Sequence, residues 1–154
     1  MDIKKIMGCF EYFFGNFNPE NYEHRVAFQK FVYLLRDKFT NEYKDYGWHL
    51  RGPYSYDLTD DLFKHKKTGE EHTLPNEKEK RFLDTLKEKV LSTTNDQIEK
   101  TNRIELYGSL LYLLDKHSKL PDSELVEKMH TRKPWYTIEE IQKAIITLRK
   151  IYQR

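Results

Sequence analysis

The stretch from Ala27 to Leu62 constrains the fold most, because a dense apolar helix is followed there by a short aromatic segment and a glycine–proline turn. Apolar residues recur in it at spacings of three and four, which predicts one broad buried face on a helix that begins near Asn21. These residues are Ala27, Phe28, Phe31, Val32, Leu34, Leu35 and Phe39. We therefore expect this helix to lie in the core.

A short extended segment follows this helix. Residues 43–51 alternate in side-chain character, with Tyr46, Trp48 and Leu50 on one side, which predicts a short strand or an extended arm. On this pattern we expect Leu50 to point inward.

The run Gly52-Pro53-Tyr54-Ser55 predicts a structural turn that leads directly into a second helix. Pro53 fixes its own φ and disfavours the right-handed helical conformation at Gly52. Ser55 is well placed to cap a helix over about 56–64. We therefore expect the chain to turn sharply at this point.

In the second half of the chain, capping-box patterns and apolar periodicity predict further helices separated by polar segments. Residues 64–75 are polar and contain a glycine and a proline, which favours a surface loop or a small hairpin. Capping-box patterns predict helix starts at Asn76 and at Thr137. Between them, apolar periodicity predicts a helix before a break at residues 93–94, a helix that ends near His117, and a shorter one that starts at Asp122.

These patterns predict a mainly α protein. The expected architecture is a compact bundle of about six to seven helices with one or two short extended segments, in which the first half could form a winged-helix-like unit. A length of 154 residues without a repeat or a linker favours one domain over 1–154.

The N-terminal segment predicts an amphipathic helix rather than a signal peptide, because Glu11 interrupts its apolar run. No stretch reaches the roughly 18 consecutive apolar residues of a membrane span. Cys9 has no second cysteine to pair with and lies in an apolar helical run, so we expect a structural thiol. We therefore predict a cytoplasmic protein that does not act at a membrane.

The motifs of several enzyme classes are missing from the sequence. None of the six histidines forms an i, i+4 pair, and a single cysteine excludes a thiolate cage, so we predict no metal site. The glycine-rich motifs for phosphate and dinucleotide binding and the nucleophile elbow are also missing. We therefore predict a protein that is not an enzyme and that has no cofactor.

Two groups of residues could bind an anion or nucleic acid. His49 and Arg51 precede a turn whose following helix presents free backbone N–H groups, which could hold a phosphate or a carboxylate. The alternative is a plain helix cap, with the arginine stem packed on an aromatic ring. Lys64, Lys66 and Lys67 form a local basic cluster, for which the alternative is a solvated helix end. The net charge of +2 is not that of an obligate DNA-binding protein.

The turn that precedes the last helix is a second possible binding site. It contains Arg132, Lys133, Trp135 and Tyr136. An exposed tryptophan beside two cations could anchor a partner protein or stack on a base. The alternative is a hydrophobic staple in which the two rings pack on the last helix. The exposure of Trp135 distinguishes these interpretations.

Four segments carry a resemblance to known families. They are the run Phe28-Gln29-Lys30-Phe31-Val32-Tyr33-Leu34-Leu35, the segment Tyr46 to Leu50, the turn Gly52-Pro53-Tyr54-Ser55 followed by Leu58, and the turn Lys133-Pro134-Trp135-Tyr136-Thr137, and they resemble the pattern of the uncharacterised YwgA-like proteins. The first three are also similar, more remotely, to SocA-like (Panacea) antitoxin domains, in which an apolar helix is followed by an extended aromatic segment and a turn with Gly-Pro. This resemblance implies a compact helical domain that binds another protein, and it implies no catalytic residues.

The sequence therefore favours a protein-binding module that acts as an antitoxin-like protein or as a defence or regulatory adaptor. The alternative is a nucleic-acid-binding transcriptional regulator. The identity of the partner and the oligomeric state remain open at this stage.

Overall fold

The computed structural model describes residues 1–92 and 94–154 and is mainly helical. The elements follow in the order α1 (Ile3–Phe14), α2 (Tyr22–Phe39), β1 (Gly47–His49), β2 (Gly52–Tyr54), α3 (Tyr56–Thr68), α4 (Glu77–Leu86), α5 (Gln97–Lys116), α6 (Asp122–Arg132) and α7 (Ile138–Tyr152). A single π-helical turn, Lys87–Leu91, extends α4. The predicted fold class, a compact helical bundle with short extended segments, is confirmed. The predicted break at residues 93–94 includes Thr93, which lies outside the described residues.

Helices α2 and α5 form the centre of the bundle. Residues 26–35 of α2 and 104–114 of α5 are buried in unbroken runs, as expected for helices covered on all sides. The two helices approach closely where Gly108 faces Lys30, since a Cβ atom on Gly108 would lie 2.7 Å from the Lys30 Cβ. A glycine is therefore required at this crossing, and it allows the stem of a lysine to pass between the helices.

A single hydrophobic cluster joins all seven helices. Its aromatic part is densest between α1 and α2, where the ring of Phe10 lies 4.8 to 5.3 Å from the rings of Phe14, Phe28 and Phe31. Ring pairs at these separations contribute beyond the area that they bury. Much of the aromatic content of the chain is therefore core. Within the described residues, no helix is both long and apolar enough to cross a membrane.

The two strands form an antiparallel hairpin between α2 and α3. Trp48 lies opposite Pro53, and Leu50 and Arg51 make the connecting turn. Gly52 has a φ of 105°, a conformation that side-chain-bearing residues rarely adopt. The prediction that Leu50 points inward is wrong: its side chain is 92% exposed because the residue lies at the tip of the hairpin rather than within a strand.

Most of the predicted helix starts are confirmed. Asn21 and Ser55 cap α2 and α3 through their side chains. Asn76 and Thr137 each form a complete capping box with the glutamate three residues later. The predicted loop over residues 64–75 is wrong in part, because α3 continues to Thr68. That segment holds no helix breaker before Gly69, which ends the helix with a left-handed conformation.

Candidate functional site: buried charges beneath a surface pocket

The four predicted partner-binding residues lie at the turn between α6 and α7, where two of them are exposed and two are buried. Trp135 is 62% exposed, and Arg132 is exposed beside it. Lys133 and Tyr136 are buried, and the Tyr136 hydroxyl donates a hydrogen bond to the Asn102 carbonyl oxygen at 2.7 Å. Only Trp135 and Arg132 are therefore presented to a partner at this turn.

The basic cluster at the end of α3 lies at the surface. Lys64 and Lys67 are exposed, and Lys66 forms an ion pair with Glu20. All three lie in the last two turns of the helix, where cations interact favourably with the helix dipole. This placement matches the alternative of a solvated helix end, and a phosphate contact by the three lysines stays a prediction.

Arg51 projects from the tip of the hairpin into a network of carboxylates. Its two terminal nitrogens lie 2.9 and 3.1 Å from the two carboxylate oxygens of Glu23, and its Nε lies 2.6 Å from Glu105 Oε1. Hydrogen bonding to Glu23 raises the pKa of Arg51. Protein carboxylates therefore already occupy the donors that an external anion would use. The His49 ring contacts the rings of Tyr54 and Tyr56, with centroids 5.1 and 5.3 Å away, and these two rings also contact each other.

Glu105 joins the hairpin to the turn after α6. Its second oxygen accepts a hydrogen bond from Lys133 Nζ at 3.0 Å, and both side chains are almost completely buried. The Lys133 ammonium group also lies 5.7 Å from the ring centre of Trp48 and 5.3 Å from that of Trp135. One carboxylate is therefore shared between two cations from separate parts of the chain. Glu105 was not predicted from the sequence, although a glutamate beside the apolar run of α5 was a signal for it.

Lys30 lies near this pair but has a different environment. It is 2% exposed, and none of the residues that the structure describes forms a hydrogen bond or an ion pair with its ammonium group. Burial lowers the pKa of Lys30 to about 7; Glu105 opposes this effect, and the charges of Lys133 and Arg51 add to it. Lys30 was not predicted either, although a lysine within ten consecutive buried positions of α2 was a signal for it.

A pocket of about 390 Å³ opens between α2, the hairpin and the start of α3. Arg25, Lys30 and Arg51 contribute charged groups to its lining, and the rest is largely aromatic or aliphatic. The apolar lining includes Tyr22, Val26, Phe28, Leu50, Tyr56 and Leu62. Both the volume and the mixture of apolar walls with a few polar groups are typical of ligand sites.

Three exposed side chains form what we call the rim of the pocket. Leu50 is 92%, Tyr56 62% and Tyr22 51% exposed. Tyr22 lies between two guanidinium groups, those of Arg25 and Arg51, each 5.8 Å from the centre of its ring. The rim is therefore an apolar surface around a cationic interior.

Gln29 holds the turn at residues 52–55, which leads into the part of the pocket lining formed by Tyr54, Tyr56 and Thr59. Its side-chain amide accepts from the Ser55 backbone N–H at 2.9 Å and donates to the Ser55 carbonyl oxygen and to Thr59 Oγ1. Thr59 Oγ1 also lies 2.6 Å from the Tyr54 hydroxyl. The predicted structural turn at residues 52–55 is therefore held to α2 through a buried amide, which makes the pocket a preformed feature.

Comparison of the chain with protein-family models, curated proteins and solved structures gave no match. The resemblance to YwgA-like proteins and SocA-like antitoxins therefore stays a prediction. Within residues 1–92 and 94–154, no three histidine, cysteine, aspartate or glutamate side chains are grouped so that they could hold a metal ion.

Proposed function

We propose that this protein is a protein-binding module that docks an apolar segment of its partner on the rim of the pocket. The observation that supports this most directly is Leu50, a leucine that is almost fully exposed at the tip of a hairpin. An exposed leucine is common, but here it adjoins two exposed tyrosines and an open pocket. Apolar residues around a concave site are the usual anchors of protein interfaces.

The hairpin holds Leu50 in a defined position before any partner arrives. β2 packs on both central helices, and Trp48 of β1 lies 5.8 Å from the ring of Tyr112 on α5. A preformed anchor loses little conformational entropy on binding, and this favours affinity. The docking role is therefore compatible with an antitoxin-like or adaptor function, which the resemblance implies.

Trp135 is a second contact residue in this proposal. The ammonium group of the buried Lys133 lies 5.3 Å from the ring centre of Trp135 and 5.7 Å from that of Trp48 of β1. The Arg132 guanidinium group stacks over Trp48 at 5.2 Å. Trp135 therefore lies near the hairpin that carries Leu50, and we propose that a partner covering the hairpin also contacts it.

The alternative of a nucleic-acid-binding regulator has less support in the observed contacts. Three of the cations that could contact phosphate are paired with carboxylates: Arg51 with Glu23 and Glu105, Lys66 with Glu20, and Lys133 with Glu105. Each would have to break an ion pair to bind a phosphate. Nucleic-acid binding stays a prediction, and a steep loss of affinity with salt would reveal it.

The experiment that tests the proposal compares two leucines of similar exposure. Leu50→Asp places a charge on the rim, whereas Leu74→Asp changes a leucine that is 77% exposed in the segment between α3 and α4. The tagged parent and both tagged variants are used to capture partners from nuclease-treated host lysate. The captured protein is then purified, and its affinity for the parent and for each variant is measured by titration.

We expect Leu50→Asp to weaken the affinity by at least about tenfold, as loss of a hot-spot residue does, and Leu74→Asp to leave it unchanged. Equal affinities of the two variants for the purified partner would overturn the proposal. Capture of nucleic acid alone from untreated lysate would favour the regulator.

A further inference from the structure

We propose that the pocket beneath the rim binds a carboxylate group, with the Lys30 ammonium group as its counter-ion. Arg51 and His49, the residues that the sequence indicated as anion ligands, are engaged with protein groups. Among the described residues that line the pocket, the buried cation without a carboxylate partner is Lys30, which was not predicted. The ligand class is a carboxylate on an aromatic or branched aliphatic body.

The ion pairs around the pocket leave one buried positive charge unmatched among the described residues. Glu105 is shared by Arg51 and Lys133, and Glu23 is bound by the same arginine. Lys30 has no carboxylate within ion-pair distance among the residues that the structure describes. A buried cation without a partner is unfavourable, and an anion that enters the pocket would relieve it.

A second buried polar group lies at the same place. The Ser109 hydroxyl is buried and has no hydrogen-bond partner within the described part of the chain. A Cβ atom on Gly52 would overlap this hydroxyl and would lie 3.6 Å from Lys30 Cε, so both groups border the glycine of the turn. Buried polar groups of native proteins are usually satisfied, so an unpartnered hydroxyl beside the Lys30 side chain favours a polar ligand in this region.

The charge balance favours a carboxylate over a phosphate. Glu23 and Glu105 balance Arg51 and Lys133, and Arg25 is only partly buried, so water screens its charge. Among the described residues of the lining, Lys30 is the buried cation that stays unmatched, so a monoanion neutralises it, whereas a dianion would leave a negative charge in a buried environment. The apolar lining, which includes Val26, Phe28 and Leu62, matches an apolar body attached to the carboxylate.

The carboxylate could be supplied by a free small molecule or by an aspartate or glutamate side chain of the docked partner. The second source rests on the proposed function, and the first does not. In both cases the bound anion stabilises the protonated amine, so binding raises the pKa of Lys30 from about 7 and takes up a proton near neutral pH. The charged and titratable groups that face or line this site are Glu105, Lys133, Arg51, Glu23, Arg25, His49, Tyr22, Tyr54 and Tyr56.

The first arm of the test uses phenylacetate as the probe and phenylacetamide as its neutral counterpart. Isothermal titration calorimetry in buffers of different ionisation enthalpy gives the affinity and the number of protons taken up. We expect phenylacetate to bind at least about tenfold more tightly than phenylacetamide, and above about pH 7 its affinity should fall by about tenfold per pH unit.

Variants separate the role of Lys30 from general surface charge. Lys30→Met should abolish the difference between the two probes, and Lys64→Met, which removes an exposed lysine, should preserve it. Circular dichroism establishes that each variant is folded. Should Lys30→Met fail to fold, proton uptake by the parent alone still decides: it should approach one proton per ligand at about pH 8.5 and nearly vanish at about pH 5.5.

The second arm identifies the source of the carboxylate. Once the partner is purified, each of its acidic residues in the docked segment is changed to the neutral amide. If one of these partner variants and Lys30→Met both weaken the affinity between the two proteins, the carboxylate belongs to the partner. If phenylacetate binds and no partner variant weakens that affinity, the carboxylate belongs to a free molecule. The proposal is overturned if phenylacetate binds no better than phenylacetamide and no acidic residue of the partner depends on Lys30. Leu50→Ala removes the apolar side chain without adding a charge to the pocket lining, so it tests the docking proposal separately.

Discussion

Lys133 Nζ lies 3.0 Å from Glu105 Oε2, although Lys133 belongs to the turn after α6 and Glu105 to α5, and both are almost fully buried. The other oxygen of the same carboxylate accepts from Arg51 Nε at 2.6 Å. Glu105 therefore links α5, the hairpin and the turn after α6 by charge. Arg51, which also lines the pocket, connects this link to the site that we assign to binding.

Glu105→Gln is expected to destabilise the protein strongly. The change removes the charge that neutralises Lys133 and Arg51, and breaking a buried ion pair on one side costs roughly 3–5 kcal/mol. Chemical denaturation of both proteins measures the loss in free energy of unfolding. Glu127→Gln changes an exposed glutamate on α6 and serves as the control. A loss below about 1 kcal/mol for Glu105→Gln would show that the buried pair contributes little to stability.

Lys30→Met is expected to stabilise the free protein at neutral pH. Its pKa is about 7 in the folded protein and near 10.4 in the unfolded chain, so the unfolded state binds more protons between these values. The parent should therefore gain stability as the pH rises from about 7 to 10. The benefit of the substitution should be roughly 2–4 kcal/mol at pH 7 and should disappear near pH 10.5.

Denaturation curves of Lys30→Met and the parent across this pH range test that expectation, with Lys64→Met as the control. A constant difference between Lys30→Met and the parent from pH 6 to pH 10 would contradict it, because a simple gain in apolar packing does not depend on pH.

Gly52→Ala is expected to cost more than Gly69→Ala. Both glycines have a positive φ, but the Cβ on Gly52 would also overlap the buried hydroxyl of Ser109, whereas Gly69 faces open space. We expect a loss of about 1 kcal/mol at Gly69 and roughly 2–4 kcal/mol at Gly52, measured as the free energy of unfolding. Similar losses at the two positions would show that the turn does not press on α5.

The helix starts were predictable from the sequence, and the buried charges of the candidate site were not. The caps at Asn21, Ser55, Asn76 and Thr137 depend on residues within three positions of the helix start, so local sequence specifies them. The Glu105–Lys133 pair joins residues 28 positions apart, and the packing of the whole bundle determines it. The prediction that Leu50 points inward was wrong for a related reason. The alternation of side chains in a short segment does not show where the strand ends and the turn begins.

Cys9 is expected to be unreactive in the folded protein. It is buried in α1, and burial, with a smaller effect of Glu79, raises its pKa to about 12. The thiolate is the reactive form, so alkylation at pH 8 should require unfolding of the protein. Labelling with iodoacetamide, followed by mass spectrometry at increasing denaturant, should track the unfolding transition. Rapid labelling under native conditions would contradict the placement of α1 in the core.

The most direct measurement of the proposed function is site-specific photo-crosslinking in host cells, with a photo-activatable phenylalanine analogue at position 50 or position 74. Leu50 lies on the rim of the pocket, and Leu74 is similarly exposed in the segment before α4. We predict that position 50 forms an adduct with one protein in high yield and that position 74 does not. The same weak, mixed adducts at both positions, or adducts with nucleic acid at position 50, would contradict the account.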